Sequence, residues 1–171
     1  MTGRRAVLAL GSNLGDRQDI LQGGVDAIAG IEGVRLTGVS PVYETVPVGG
    51  PPQPDYLNAV VLADVTIPTR ALLDRLHEVE AAFDRVRVIR WGPRTLDIDI
   101  ITVAGEHSDD PDLTLPHPRA HERAFVLAPW LDADPDAVLP GYGQVAVLLG
   151  AADQAGIRRS RVPLVLQEAE W

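Results

Sequence analysis

Two aspartates, Asp97 and Asp99 in TLDIDIITV (95–103), have the type and spacing to bind a metal. In an extended chain, residues i and i+2 share a face. Thr95, Asp97, Asp99 and Ile101 therefore point one way, and Leu96, Ile98 and Ile100 the other. That puts two carboxylates about 6–7 Å apart along one strand. Charges so close repel unless a cation lies between them. Mg²⁺ is the fitting cation, because it takes hard oxygen ligands and often uses one or two carboxylates together with substrate phosphates. The alternative is a solvated strand face, and an isolated D-x-D does not by itself decide.

Just before this pair, RVRVIRWGPR carries Arg85, Arg87, Arg90 and Arg94 with no acid among them. Guanidinium forks match phosphate oxygens, and the formal net charge of the whole chain is −9. One basic cluster on an acidic protein points to a small polyanion bound at one place, and argues against a nucleic-acid duplex. Carboxylates for Mg²⁺ beside phosphate-binding arginines make a set suited to phosphoryl-type transfer. Pairing of the arginines with Glu78, Glu80 and Asp84 is the alternative. Aromatic residues are only 5% of the chain, so Tyr56, Trp91 and Phe125 invite attention because each lies in or beside a motif. Rings of this kind hold a planar heterocycle by stacking, with core packing the more usual role of any one of them alone. Asn58 shares the face of Tyr56, and its amide offers both a donor and an acceptor. His117, between prolines in LPHPR, and Arg123 would extend an anion site. GSNLGDR (11–17) resembles a phosphate-cradling turn but lacks the Walker A lysine. It reads as structural, with a minor part in shaping the site.

The elements that must position these residues follow from periodicity. Val7–Leu10 reads as a buried strand, and Asp16 to about Ala29 as a helix with Ile20, Leu21, Val25 and Ile28 on one face. Val34–Tyr43 and Tyr56–Val65 read as strands separated by ETVPVGGPPQPD, a long breaker-rich loop of the kind that is usually functional. Pro68 opens a second helix carrying Leu72, Leu76, Val79 and Phe83, and 95–103 is a strand. Beyond it lies an irregular, proline-punctuated region. VAVLL (145–149) reads as a short helix and VPLVL (162–166) as a further strand. The order β-α-β-β-α-β predicts an α+β fold of ferredoxin-like type, with helices on one face of a mainly antiparallel sheet. With 171 residues, 46% of them hydrophobic, the chain is read as a single domain, 1–171. It has no cysteine, which fits a reducing compartment. The apolar run Ala6–Leu10 is too short for a signal peptide or membrane span. The expectation is a cytoplasmic, monomeric protein without a membrane or nucleic-acid partner.

Four segments, GSNLGDR (11–17), YETVPVGGPPQPDYLNAVV (43–61), DRVRVIRWGPRTLDIDII (84–101) and LPHPRAHERAFVL (115–127), closely resemble the 6-hydroxymethyl-7,8-dihydropterin pyrophosphokinases. The resemblance covers roughly residues 5 to 140. It implies the ferredoxin-like fold and a reaction of folate biosynthesis in which ATP gives its β,γ-pyrophosphoryl group to a pterin alcohol, leaving AMP. By the same resemblance Asp97 and Asp99 are ligands of two Mg²⁺ ions, and Arg85 and Arg94 are the catalytic, phosphate-contacting arginines. Arg87 and Arg90 become auxiliary nucleotide contacts. Tyr56 and Phe125 become the two sides of a pterin sandwich, with Asn58 and the backbone of Thr45, Val46 and Val48 reading the pterin edge. Glu80, His117 and Arg123 fall in the nucleotide site, and Trp91 is a lid residue. The chain departs from some members in the short Val88-Ile89 spacer, in His77 where some carry Gln, and in Pro118 where some carry an aromatic residue.

No strong general base is evident near the aspartates, so positioning and charge neutralisation are expected to carry catalysis. Mg-ATP is expected to order the arginine segment 85–91 and so to tighten pterin binding. Two rival classes are a single-stranded RNA binder, whose expected basic surface and RNP signature are missing, and a metal-dependent phosphohydrolase or nucleotidyltransferase. AMP as product separates both from the pyrophosphokinase reading.

Overall fold

The computed structural model describes residues 3–13, 16–46, 52, 54–83, 95–160 and 163–166. Strand β1 (Arg4–Ser12) is followed by helix α1 (Arg17–Ala29), β2 (Val34–Val39), β3 (Tyr43–Thr45) and β4 (Tyr56–Val65). Helix α2 (Thr69–Phe83), β5 (Asp97–Val103), β6 (Ser108–Asp110) and β7 (Leu113–Leu115) come next. Helix α3 (Ala124–Ala133), β8 (Val138–Leu139), β9 (Gly143–Gln144), α4 (Val145–Ala151) and β10 (Ile157–Arg159) complete the chain. The main sheet has six strands in the order β10-β3-β4-β1-β5, with β2 also on β4. Every pairing in it is antiparallel. Strands β2 and β3 occupy successive lengths of the same edge of β4, because Ser40-Pro41-Val42 interrupts what the sequence suggests is one strand. Proline has no N–H to give a ladder, and Ser40 Oγ instead accepts from Val60 N–H at 2.8 Å.

Alternation fixes which residues go inside. Ala6, Leu8 and Leu10 of β1, Val61 and Ala63 of β4 and Ile98 and Ile100 of β5 meet Leu21, Val25 and Ile28 of α1 and Leu72 and Leu76 of α2 in one core. Helix α1 starts where Asp16 accepts from Asp19 N–H, a conventional N-cap. Its two glycines serve close approach: a Cβ on Gly24 would lie 3.1 Å from Leu96, and one on Gly23 would lie 2.9 Å from Phe83.

Three expectations need correction. Helices cover both faces of the sheet, not one. The opposite face carries Val7, Val60, Leu62 and Ile101, and these pack under Val126, Leu127 and Trp130 of α3 and Val145 of α4. The region after β5 is accordingly not irregular throughout, since 124–133 is helical despite Pro129 within it. An interior proline costs about 3 kcal/mol, but each large apolar side chain buried returns about 1.5–3 kcal/mol, and this helix buries three. Finally, VPLVL forms no strand among its described residues 163–166; the late strand is Ile157–Arg159, and Leu164 instead joins the first core. Among the described residues no helix is long and apolar enough to cross a membrane.

Candidate active site

Strand register assembles the site on the α3 side of the sheet. Gly11 on the central strand β1 is paired on one side with Asn58 of β4 and on the other with Asp97 of β5. Ala9 is likewise flanked by Val60 and Asp99. Directly paired residues share a face, so Asn58, Gly11 and Asp97 form one row, about 10 Å from end to end at normal strand spacing. The row continues beyond Asn58 to Tyr43 of β3 and Arg159 of β10.

At the β5 end, Asp97 is half-buried and Asp99 exposed, while Ile98 and Ile100 are buried, as the alternation requires. A cleft of about 410 Å³ opens here, lined by His77 and Glu80 of α2, Asp97 and Asp99 of β5, Leu113 and Thr114 of β7, and His117. Glu80 uses Oε2 to accept from Ile98 N–H at 3.1 Å, which ties α2 to β5 between the two aspartates. His117 is anchored through its own N–H to Ile101 O at 2.8 Å. Its Nδ1 accepts from Arg119 N–H at 3.2 Å, so the neutral ring carries its proton on Nε2 and can donate. Burial lowers the His117 pKa from its ordinary value. The Asp99 charge opposes that, and the Arg123 and Arg119 charges reinforce it. Burial also lowers the Arg123 pKa, while Asp99 and, more weakly, Asp97 act to raise it. Asp99, His117 and Arg123 are thus electrostatic neighbours. Among the described residues no group of three or more metal-binding side chains occurs. Two carboxylates on one strand face are a ligand set that Mg²⁺, which keeps several waters and takes phosphate oxygens, can use.

The shift in His117 has a measurable sign. The imidazole is held neutral in the fold, so the unfolded chain takes up the proton first. Its contribution to stability is whole above the unfolded value near 6.5, and is lost as pH falls from there through the lowered folded value. Urea midpoints measured from pH 8 to pH 5 should fall more steeply for the native protein than for His117→Gln. Parallel curves would contradict this.

At the β4 end, Asn58 is 7% exposed and donates through Nδ2 to Thr45 Oγ1 at 2.7 Å. This orients the amide and turns Oδ1 toward β1, where a Cβ built on Gly11 would lie only 2.9 Å away. Tyr56 is half-buried, one step along β4 on the same face. Phe125, in the first turn of α3, packs against the core on that face and lies under the Arg123 guanidinium, 5.5 Å from its ring centroid. Val46 commits its N–H to Gly156 O at 3.0 Å, so it cannot offer that donor to a ligand. Arg85, Arg87, Arg90, Trp91, Arg94 and Val48, together with the expected ordering of segment 85–91, lie outside the described residues.

The sequence alone underrated Gly11, read there as part of a structural turn. Its position at the end of a strand, before Asn13, was the available signal; its pairing with both Asn58 and Asp97 was not. Gly11→Ala should push the Asn58 amide aside at about 1–3 kcal/mol of strain. The expected result is a selective rise in KM for a substrate bound at the Asn58 end of the row, with KM for one bound at the carboxylate end unchanged. Equal KM values for both ligands in variant and native protein would contradict it.

The ferredoxin-like α+β sheet carries paired carboxylates at one end of a row and a buried amide at the other, polar groups suited to a small-molecule site. Comparison with known proteins narrows the class. The family model described as 7,8-dihydro-6-hydroxymethylpterin-pyrophosphokinase (HPPK) matches residues 7–135, and the chain belongs to this family. It is 42% identical over 155 residues to the 2-amino-4-hydroxy-6-hydroxymethyldihydropteridine pyrophosphokinase of Methylorubrum extorquens, covering 91% of this chain and 98% of that one. Over 149 residues it is 48% identical to the protein of the same name from Mycobacterium tuberculosis, covering 81% and 77%. Among solved structures, Plasmodium falciparum HPPK-DHPS with pterin and p-hydroxybenzoate superposes with a TM-score of 0.65 at 16% identity. That match covers 88% of this chain and 42% of the other, so this chain spans less than half of the longer protein, and the likeness concerns the fold.

Proposed function

We infer that this protein transfers the β,γ-pyrophosphoryl group of ATP to the hydroxymethyl oxygen of 6-hydroxymethyl-7,8-dihydropterin, a step of folate biosynthesis. The alcohol oxygen bonds to the β-phosphorus and gives its proton to water, the bond from that phosphorus to the α,β-bridging oxygen breaks, and AMP leaves. The observation that carries this reading is the row Asn58–Gly11–Asp97. A flat bicycle read at its edge by Asn58, whose Oδ1 sits over Gly11, would reach along the row toward β5 with its alcohol directed to the carboxylates.

Tyr56 and Phe125 hold the ring faces, while Asn58 and the backbone near Thr45, Val46 and Val48 read the edge. Asp97 and Asp99 would hold Mg²⁺, two ions being expected, and the metal would supply Lewis acidity toward the phosphate oxygens. Arg85 and Arg94 stabilise charge developing on the bridging oxygen, with Arg87 and Arg90 as further nucleotide contacts. His117 donates from Nε2 and Arg123 from its guanidinium into the nucleotide cleft. Glu80 keeps β5 seated against α2, and Trp91 closes over the bound substrates. In this reading the chain acts as one domain, as a monomer in the cytoplasm, with small molecules as its partners. The pairing of β10 with β3 supports the single domain. Incubation with Mg-ATP and the pterin alcohol tests the function: AMP and a pterin diphosphate should form in equal amounts. ADP or free pyrophosphate as the product would point instead to a simple kinase or a hydrolase.

A further inference from the structure

The family model ends at residue 135, yet the strand flanking the proposed pterin site is completed by a segment some twenty residues later. Strand β10 lies antiparallel on β3, with Ile157 opposite Thr45, Arg158 opposite Glu44 and Arg159 opposite Tyr43. Backbone hydrogen bonds close both ends of the ladder: Val46 N–H to Gly156 O at 3.0 Å, and Ser160 N–H to Val42 O at 2.7 Å. Side chains fasten it on both faces. Arg158 pairs with Glu44 on one. On the other, Arg159 meets Asp132 of α3 at 2.7 Å, and Asp132 also accepts from the Tyr43 hydroxyl. Strand β3 spans only three residues, so without β10 it would be a short edge with one neighbour.

Gly156 is the tightest point of this junction. Its φ of +74° is one that residues with a Cβ rarely adopt. A Cβ there would also lie 3.2 Å from Val46 Cβ and 3.3 Å from Val46 Cγ2. We propose that β10, with Gly156 at its head, positions β3 for pterin binding, so that Gly156 sets the placement of Thr45 and Val46 without touching substrate. This rests on the reading of Thr45, Val46 and Asn58 as the pterin edge. Thr45 Oγ1 receives the Asn58 amide, so a shift of β3 also turns the group that reads the ring.

A side chain at 156 must either strain the backbone or displace Val46. The binding-competent placement is then less populated, and the apparent affinity falls by that fraction. Gly156→Ala should raise the pterin KM roughly fivefold to thirtyfold, with kcat and ATP KM within about twofold of native. Gly141 is the control. Its φ is +82°, and an added Cβ there meets nothing within 4 Å, so Gly141→Ala brings comparable backbone strain in the β8–β9 turn, off strands β3 and β10. Its thermal midpoint should fall similarly while its pterin KM stays native. Should Gly156→Ala fail to fold, Gly156→Asn keeps the steric contact with less backbone strain and should show a smaller rise in the same constant.

A native pterin KM in whichever position-156 variant folds overturns the proposal. So does an equal rise in Gly141→Ala. Asn58→Leu, measured alongside, separates the two levels. If it leaves the pterin KM unchanged, the site reading itself fails. If it raises that KM while the position-156 variants do not, only the role of β10 fails.

Discussion

Asp97→Ala and Asp99→Ala should each lower kcat by on the order of 10³-fold at saturating Mg-ATP and pterin, and neither should unfold the protein. The reason lies in the strand that carries them. Ile98 and Ile100 fill the core from the opposite face, 5% and 6% exposed, and these are untouched. The backbone of Ile98 remains held by Glu80. Removing one carboxylate relieves repulsion along the strand but also removes an attraction for Arg123, so the thermal midpoint of the metal-free variant should stay within about 2–3 °C of the native one. A residue that loses activity on substitution without losing stability is under functional constraint. Stopped assays for AMP, run beside thermal melts in EDTA, measure both sides. A near-native kcat at high Mg²⁺ would remove the metal assignment, and a midpoint several degrees lower would recast the aspartates as structural.

The second large effect is expected at Asn58. Its side chain is buried, its Nδ2 is engaged by Thr45 Oγ1 at 2.7 Å, and its Oδ1 faces the glycine gap on β1. Leucine is similar in volume but can neither donate to Thr45 nor accept from a ring N–H. A pterin donor left unpaired against leucine costs about 1–3 kcal/mol, and loss of the hydrogen bond to half-buried Thr45 also loosens the edge beside it. Asn58→Leu should therefore weaken pterin binding by roughly 30-fold or more in calorimetric titration, with nucleotide affinity unchanged because the proposed ATP cleft lies across β1. Unchanged pterin affinity would reassign Asn58 to the fold alone.

Much of this architecture was legible before any coordinates. The strands at 56–65 and 97–103 and the helix at 17–29 follow from two periodicities, 2 and 3.6. Those periodicities are local properties, set by covalent geometry and by which side chains can leave water. The Asp97 and Asp99 face is legible for the same reason. The second core under α3 was not. Val7, Val60, Leu62 and Ile101 look like one side of ordinary strands, and nothing nearby in the chain says that a proline-containing segment will fold down over them. The break at Ser40-Pro41 was underread because one proline can be absorbed at the edge of a strand.

Residue types and their spacing set the kinds of chemistry available: carboxylates for a hard cation, arginines for phosphate, an amide and scarce aromatics for a flat ring, arranged along strands of known facing. Which groups become neighbours is an outcome of packing. Gly11 becomes part of the site because its two partners come from strands about fifty and ninety residues away, and that register is a long-range outcome of packing. Gly156 becomes a candidate because the chain returns, at its far end, to the free edge of β3. Which strand fills an edge depends on unpaired backbone groups, side-chain anchors such as Arg158 and Arg159, and the space left by everything already folded. None of these is a property of a local stretch of sequence, so Ile157–Arg159 carried less apparent strand signal than the more apolar VPLVL and yet became the strand.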